Sequence, residues 1–245
     1  MNVHWADGRS TRLAAVALST LLLGACQAAR PASTAGLATG PTRSAASGPT
    51  EPAAASPAPS STEIAALEVG GSPGELAPGR YTRQGFEPRI TFELDGPWHA
   101  VNAFSGFFDV QQDVGSPDVI AVQFGLPSEV DAGPRHATPM TTAEAAVETL
   151  KSNSRLVIVE SGPSQIGGLT GFQVTVENPT AAAGDTPIMR VTPGVLNISP
   201  GRRLWCAFFD IPDGVLAIMV GGSVAHWDDA LLTAEPVLES VTIGQ

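Results

Sequence analysis

The chain has 245 residues, 43% of them hydrophobic and only 15% charged, with two cysteines. Its 13 Lys and Arg stand against 24 Asp and Glu, a formal charge of −11, which argues against nucleic acid as a partner, since that affinity comes largely from basic side chains on phosphate. Two cysteines exclude a disulfide scaffold, and the length suits one ordinary domain with tails.

Arg9 and Arg12 precede an apolar run, Leu13–Leu23, that ends in Gly24, Ala25 and Cys26. A basic start, a short apolar stretch and small residues at its end make an export signal. As a helix that stretch reaches about 16 Å, against a bilayer core of about 30 Å. Residues 1–25 therefore read as a signal peptide and not as a membrane span. The junction Leu23-Gly24-Ala25-Cys26 resembles the lipobox of bacterial lipoprotein precursors. The resemblance implies diacylglycerol on the Cys26 thiol, cleavage before Cys26, and a further acyl chain such as palmitate on the new amino terminus. The alternative is ordinary cleavage near Ala25 with Cys26 incidental. Two or three acyl chains hold a protein stably at a membrane, so the expected location is the extracytoplasmic face of the cell membrane, anchored through Cys26.

Residues 27–62 hold 11 Ala, 6 Pro, 6 Ser, 5 Thr and 3 Gly, with Leu37 as the one large apolar side chain. Such a stretch cannot bury enough surface to offset its ordering entropy. Residues 26–62 are expected to form a lipidated, disordered spacer, spanning on the order of 35 Å.

Residues 63–245 should form a single globular domain. Glu87–Asp95 alternates as a strand, with Ile90, Phe92 and Leu94 on one face. Gly96-Pro97 turns the chain, and Trp98–Phe108 reads as a strand and its return. Val119–Phe124 is β-branched and strand-like. Thr141 with Glu144 has capping-box spacing and opens a helix to about Ser152, its apolar face made by Ala143, Ala146, Val147 and Leu150. Leu156–Glu160 and Leu169–Glu177 alternate on either side of turns at Gly162-Pro163-Ser164 and Gly167-Gly168. Ile188–Val191 and Val195–Ile198 flank Pro193-Gly194. Arg203–Ile211 and Val215–Val220 flank Pro212-Asp213-Gly214, a hairpin signal. Ser223 suits a cap for a last helix from Ala225, with Leu231 and Leu232 inward and Pro236 kinking or ending it. Hairpins imply antiparallel pairing. The fold class is α+β, an antiparallel sheet with helices packed on its faces.

The segments Pro88–Leu94 with Gly96-Pro97-Trp98, then Thr141–Leu150, then Ile166–Gly171, resemble lipoprotein domains of actinobacterial type, some of which are similar to the PsbP/Mog1 fold. In that pattern a Gly-Trp turn follows an early strand, here interrupted by Pro97, and a Gly-Gly turn opens a later one. The resemblance implies an antiparallel sheet between helices, and a protein that binds partners instead of catalysing. Its motifs are structural turns, and a fold does not fix a function.

Chemistry-bearing patterns are sparse. Of the histidines, His4 leaves with the signal, and His99, His136 and His226 show no metal-site spacing. His226 with Asp228 and Asp229 is the nearest to a ligand cluster, but acids in a first helical turn complement the dipole anyway. Gly162-Pro163-Ser164 is no nucleophile elbow, and Lys151, the one lysine, lies in no phosphate loop. Asn197-Ile198-Ser199 matches a glycosylation sequon without weight in a bacterial lipoprotein. Trp98 and His99 can line a pocket or plug a core end, the latter favoured by the area Trp buries. Cys206 should be a buried, inert thiol, with Arg203 on the opposite strand face. No cofactor and no metal is called for.

The expected function is a non-catalytic binding or interaction module with an envelope protein as partner. The alternative is a carrier or sensor of a small apolar ligand such as a lipid, held by Phe104, Phe107, Phe108, Phe124, Phe172, Trp205, Phe208 and Phe209. A hydrolase comes last, because no nucleophile–base pair can be named.

Overall fold

The computed structural model describes residues 64–67, 74–133 and 137–244. Cys26, the signal, the spacer and His136 lie outside them. In chain order the elements are β1 Ile64–Leu67, β2 Gly74–Leu76, β3 Gly79–Arg83, β4 Ile90–Leu94, β5 Trp98–Phe104, β6 Phe107–Gln112, β7 Ile120–Gly125, β8 Pro127–Asp131, β9 Ala137–Pro139, α1 Ala143–Lys151, β10 Val157–Ile166, β11 Leu169–Asn178, β12 Thr186–Val191, β13 Gly194–Ile198, β14 Arg202–Ile211, β15 Gly214–Ser223, a 3₁₀ turn Val224–His226, α2 Trp227–Ser240 and β16 Thr242–Ile243.

The centre is an eight-stranded sheet in the order β10-β11-β14-β15-β7-β6-β5-β2. All its pairs are antiparallel. A core lies on each face. On one, Ile218, Val220, Phe209, Val122 and Phe124 meet Trp227, Ala230, Ala234 and Val237 of α2, and Phe92 of a four-stranded sheet β1-β3-β4-β16. On the other, Cys206, Phe208, Val174, Met219 and Phe107 meet Ala146, Val147 and Leu150 of α1, and Met189 and Leu196 of the sheet β13-β12-β8-β9. The class is thus the expected one: antiparallel sheet, α+β, a helix on each face. One pair departs from it, β1 with β3, which is parallel.

Strand period explains the two cores. Along β14 the odd residues Trp205, Ala207 and Phe209 face α2, and the even residues Leu204, Cys206 and Phe208 face α1. A strand buried on both faces reads as a continuous apolar run, as LWCAFF does.

Four local expectations need correction. The cap of α1 is Thr142, whose hydroxyl accepts from the Ala145 amide at 3.1 Å, and not Thr141. The Ala143 amide is taken by Asp210 Oδ1 at 2.7 Å, an acceptor 67 residues away. Gly162-Pro163-Ser164 is the middle of β10 and not a turn; β10 is an edge strand, where proline is tolerated. Pro236 lies inside α2 and does not end it; the helix runs to Ser240. The carbonyl left without a helical donor is that of Leu232, a residue 69% exposed. For the same reason Leu232 does not point inward.

The remaining turns form as expected. Gly167 and Gly168 both take positive φ, 58° and 84°, the requirement of a two-residue hairpin loop with the twist of its strands. Asp95-Gly96-Pro97 joins β4 to β5 and delivers Trp98 into the core with no exposed surface.

Candidate functional site

The aromatic side chains decide between core and pocket. Phe92 stacks on Phe124 at 5.4 Å between centroids, Phe124 on Phe108 at 4.6 Å, and Phe86 meets Phe108 edge-on at 5.1 Å. Phe86, Phe92, Phe107, Phe108, Phe124, Phe208 and Phe209 are each exposed by 1% or less. They are core, filled by one another at favourable ring geometries. Phe104 and Trp205 are half-buried, and Phe172 is exposed on β11. Trp98 plugs the core end, and His99 stands beside it half-buried.

Cys206 is fully buried, and loss of solvation pushes its thiol pKa up. Arg203 is on the other face, paired with Glu177 at 2.9 Å and lying 5.6 Å from the Trp227 ring centroid. The thiolate that reactivity requires is therefore disfavoured. His226 lies between Asp118, 4.0 Å from Nε2, and Asp229, 3.8 Å from Nδ1. The two carboxylates sit at opposite ring nitrogens, so they cannot share one ion with the imidazole. Among the described residues no group of three or more His, Cys, Asp and Glu is placed to hold a metal. Asn197 is on β13, its side-chain amide donating to the Val195 carbonyl at 3.4 Å.

Two polar arrangements were not anticipated. The first is around Asp109 on β6, 1% exposed. Its Oδ1 accepts from the Asn102 amide at 2.8 Å, and its Oδ2 accepts from Asn102 Nδ2 at 3.0 Å, Gln111 Nε2 at 2.8 Å and Gln123 Nε2 at 3.5 Å. No cation pairs with it among the described residues. Burial raises its pKa, partly offset by these donors. The bulge in β5 between Ala100 and Asn102 is what turns Asn102 towards Asp109. A neighbouring cavity of about 150 Å³ is lined by Leu67, Leu76, Ala100, Phe108 and Asp109.

The second is a cleft of about 400 Å³ beside β3 and β4, lined by Ile64, Thr82, Arg83, Gln84, Gly85, Phe86, Glu87, Arg89 and Thr91. Arg83 is 2% exposed and ties β1 to β5, donating from Nη1 to the Leu67 carbonyl at 2.6 Å and from Nη2 to the Ala103 carbonyl at 3.4 Å. Burial lowers its pKa, though a guanidinium stays charged. Its Nε has no hydrogen-bond partner among the described residues. Gly85 takes φ 69° where the chain turns from β3 towards β4, which glycine adopts without strain. A signal for this site existed in the sequence: Arg80, Arg83 and Arg89 are three of the few bases and fall within ten residues.

No family model matches the chain, and no curated protein matches it. Among solved structures it is similar to cyanobacterial PsbP (CyanoP) from Synechocystis sp. PCC 6803, at 12% identity and a TM-score of 0.39, over 67% of this chain and 91% of that one. It is also similar to LpqN of Mycobacterium tuberculosis, described as involved in cell envelope biogenesis, at 9% identity and a TM-score of 0.38, over 71% of this chain and 92% of that one.

Proposed function

We propose that this chain is a lipid-anchored, extracytoplasmic binding or interaction module without catalytic activity. Cys26, directly after Leu13–Leu23, would carry the lipid, residues 26–62 would be the spacer, and residues 63–245 the domain it presents. The observation that supports a module over a lipid carrier is the filled aromatic interior: Phe92, Phe108 and Phe124 stack on one another and leave no room among them for an acyl chain. The cavity beside them, about 150 Å³, matches the size that holds one benzene ring.

Two measurements test this. Cys26→Ser should move the protein from the membrane fraction to the soluble one; a variant that stays membrane-bound after high-salt washing would place the anchor elsewhere. Native mass spectrometry of the Cys26→Ser chain should give the bare polypeptide mass. A stoichiometric adduct of lipid mass would replace the module by the carrier.

A further inference from the structure

We propose that Pro163, backed by the bulge at Val159, is a guard that keeps the free edge of the eight-stranded sheet from pairing with a second copy of this chain. The sheet ends in β10 on one side and β2 on the other. β2 has 3 residues and β10 has 10. No described strand lies beyond β10, so its outer amides and carbonyls are a ready template for another strand. Val157 and Val159 are 48% and 45% exposed along it. Glu160 is the one charged side chain of β10, and it accepts from Thr175 Oγ1 of β11 at 3.0 Å. That bond holds the carboxylate against the sheet's own surface. Charge therefore does little to protect this edge, and the task falls to the backbone.

Register shows which backbone groups face outward. The loop Gly167-Gly168 closes on the pair Ile166–Leu169, and the closing pair of a two-residue hairpin exchanges both of its hydrogen bonds. Bonding then alternates along the ladder. Ser164–Gly171 and Gly162–Gln173 bond to each other, whereas Gln165–Thr170, Pro163–Phe172 and Ser161–Val174 turn their backbone groups away. Proline fits this alternation, since it has no N–H to give β11. On the open side a new strand would bond Ser161, Pro163 and Gln165. In a two-fold antiparallel pair centred on residue 163, Ser161 meets Gln165 of the second copy and the prolines meet each other, the self-complementary contact of a dimer. Both central bonds are then missing, and each central carbonyl faces a proline ring. The pairing cannot be extended past Ser161, because the shift between Ile158 and Glu160 inserts Val159 and puts the groups before it out of step. In the single copy the same proline costs no ladder bond, so the guard acts against the dimer alone.

The inference stands apart from the lipid anchor and from the identity of any partner. The test uses the full chain carrying Cys26→Ser, studied by sedimentation equilibrium over a range of concentrations. This parent should keep the monomer mass throughout. Pro163→Thr supplies the missing amide on a residue suited to strands, and its average mass should climb towards twice the monomer value as concentration rises. Hydrogen exchange locates the contact: the amides of Ser161 and Gln165 should exchange fast in the parent and become protected in the associated variant. Ser161→Pro combined with Pro163→Thr moves the proline to the next outward position and should restore the monomer. Position 163 is exposed and gives no bond to β11, so Pro163→Thr should melt with the parent. The proposal is overturned if Pro163→Thr stays monomeric, if it associates without protecting Ser161 and Gln165, or if the variant with the displaced proline associates equally well.

Discussion

Gly222 of β15 and Ala230 of α2 approach so closely that a methyl group on Gly222 would stand 2.6 Å from Ala230 Cβ and 3.4 Å from the Trp227 ring. The helix is seated on the sheet at a position where only hydrogen fits. Gly222→Ala should cost about 1–3 kcal/mol by overpacking, read as a lower urea midpoint. Adding Ala230→Gly opens the same space at a helix-propensity cost of about 1 kcal/mol. The pair should be less destabilised than the two single changes added together; strict additivity would show that the contact is not the cause.

Asp109 makes stability depend on pH. Its folded pKa is raised by burial above the ordinary carboxylate value, about 3.9. The native state thus holds the proton more tightly than the unfolded chain does. Stability contributed by this group is present below the ordinary value and falls as pH rises through the window up to the folded pKa. Asp109→Asn should remove that falling component. Urea midpoints of both proteins from about pH 3 to about pH 8 measure it, and identical slopes would refute it.

Arg202 ties the segment before β7 to β14. It donates from Nη1 to the Pro117 carbonyl at 2.6 Å and from Nη2 to the Val119 carbonyl. Arg202→Met keeps the aliphatic stem and removes both bonds. The expected loss is about 1.5–3 kcal/mol, with faster proteolysis confined to residues 113–119. Cleavage rates equal to the parent's would show that the segment is held by other contacts.

Cys206 should resist chemistry while the domain is folded. Its thiol is buried and its pKa pushed up. A thiol reagent that labels it slowly in buffer and rapidly in denaturant is the expected behaviour. Fast labelling of the folded protein would mean that β14 opens locally.

The central strands were legible because they combine period with punctuation. Leu169–Glu177 alternates after a Gly-Gly turn, and Arg203–Ile211 precedes Pro212-Asp213, so each announced both its class and its end. β1, β2 and β9 carry no such pattern: they are three or four residues long, two strand periods at most, and are held by neighbours. The Thr141/Thr142 ambiguity could not be resolved locally, because Asp210, the group that takes the first helical amide, arrives from a distant hairpin. Pro163 misled for a related reason: its tolerance depends on β10 being an edge, which only sheet order reveals. At the cleft beside β3 and β4 the arginines were visible, but not that Arg89 makes no ion pair among the described residues, even with Glu87 in the same lining. That depends on which faces meet in three dimensions.

The join of β7 to β15 has a consequence for how the chain is made. Ala121–Gly125 pairs with Ala217–Gly221, and β4 is completed by Thr242 and Ile243. In the large sheet only β5-β6-β7, β10-β11 and β14-β15 are joined by local hairpins, and the face that packs on α2 stays uncovered until that helix is present. Contacts of such long sequence separation form late and slowly. A growing chain therefore carries Phe209, Ile218 and Val220 with no cover on their α2 face until residues 227–240 have followed them.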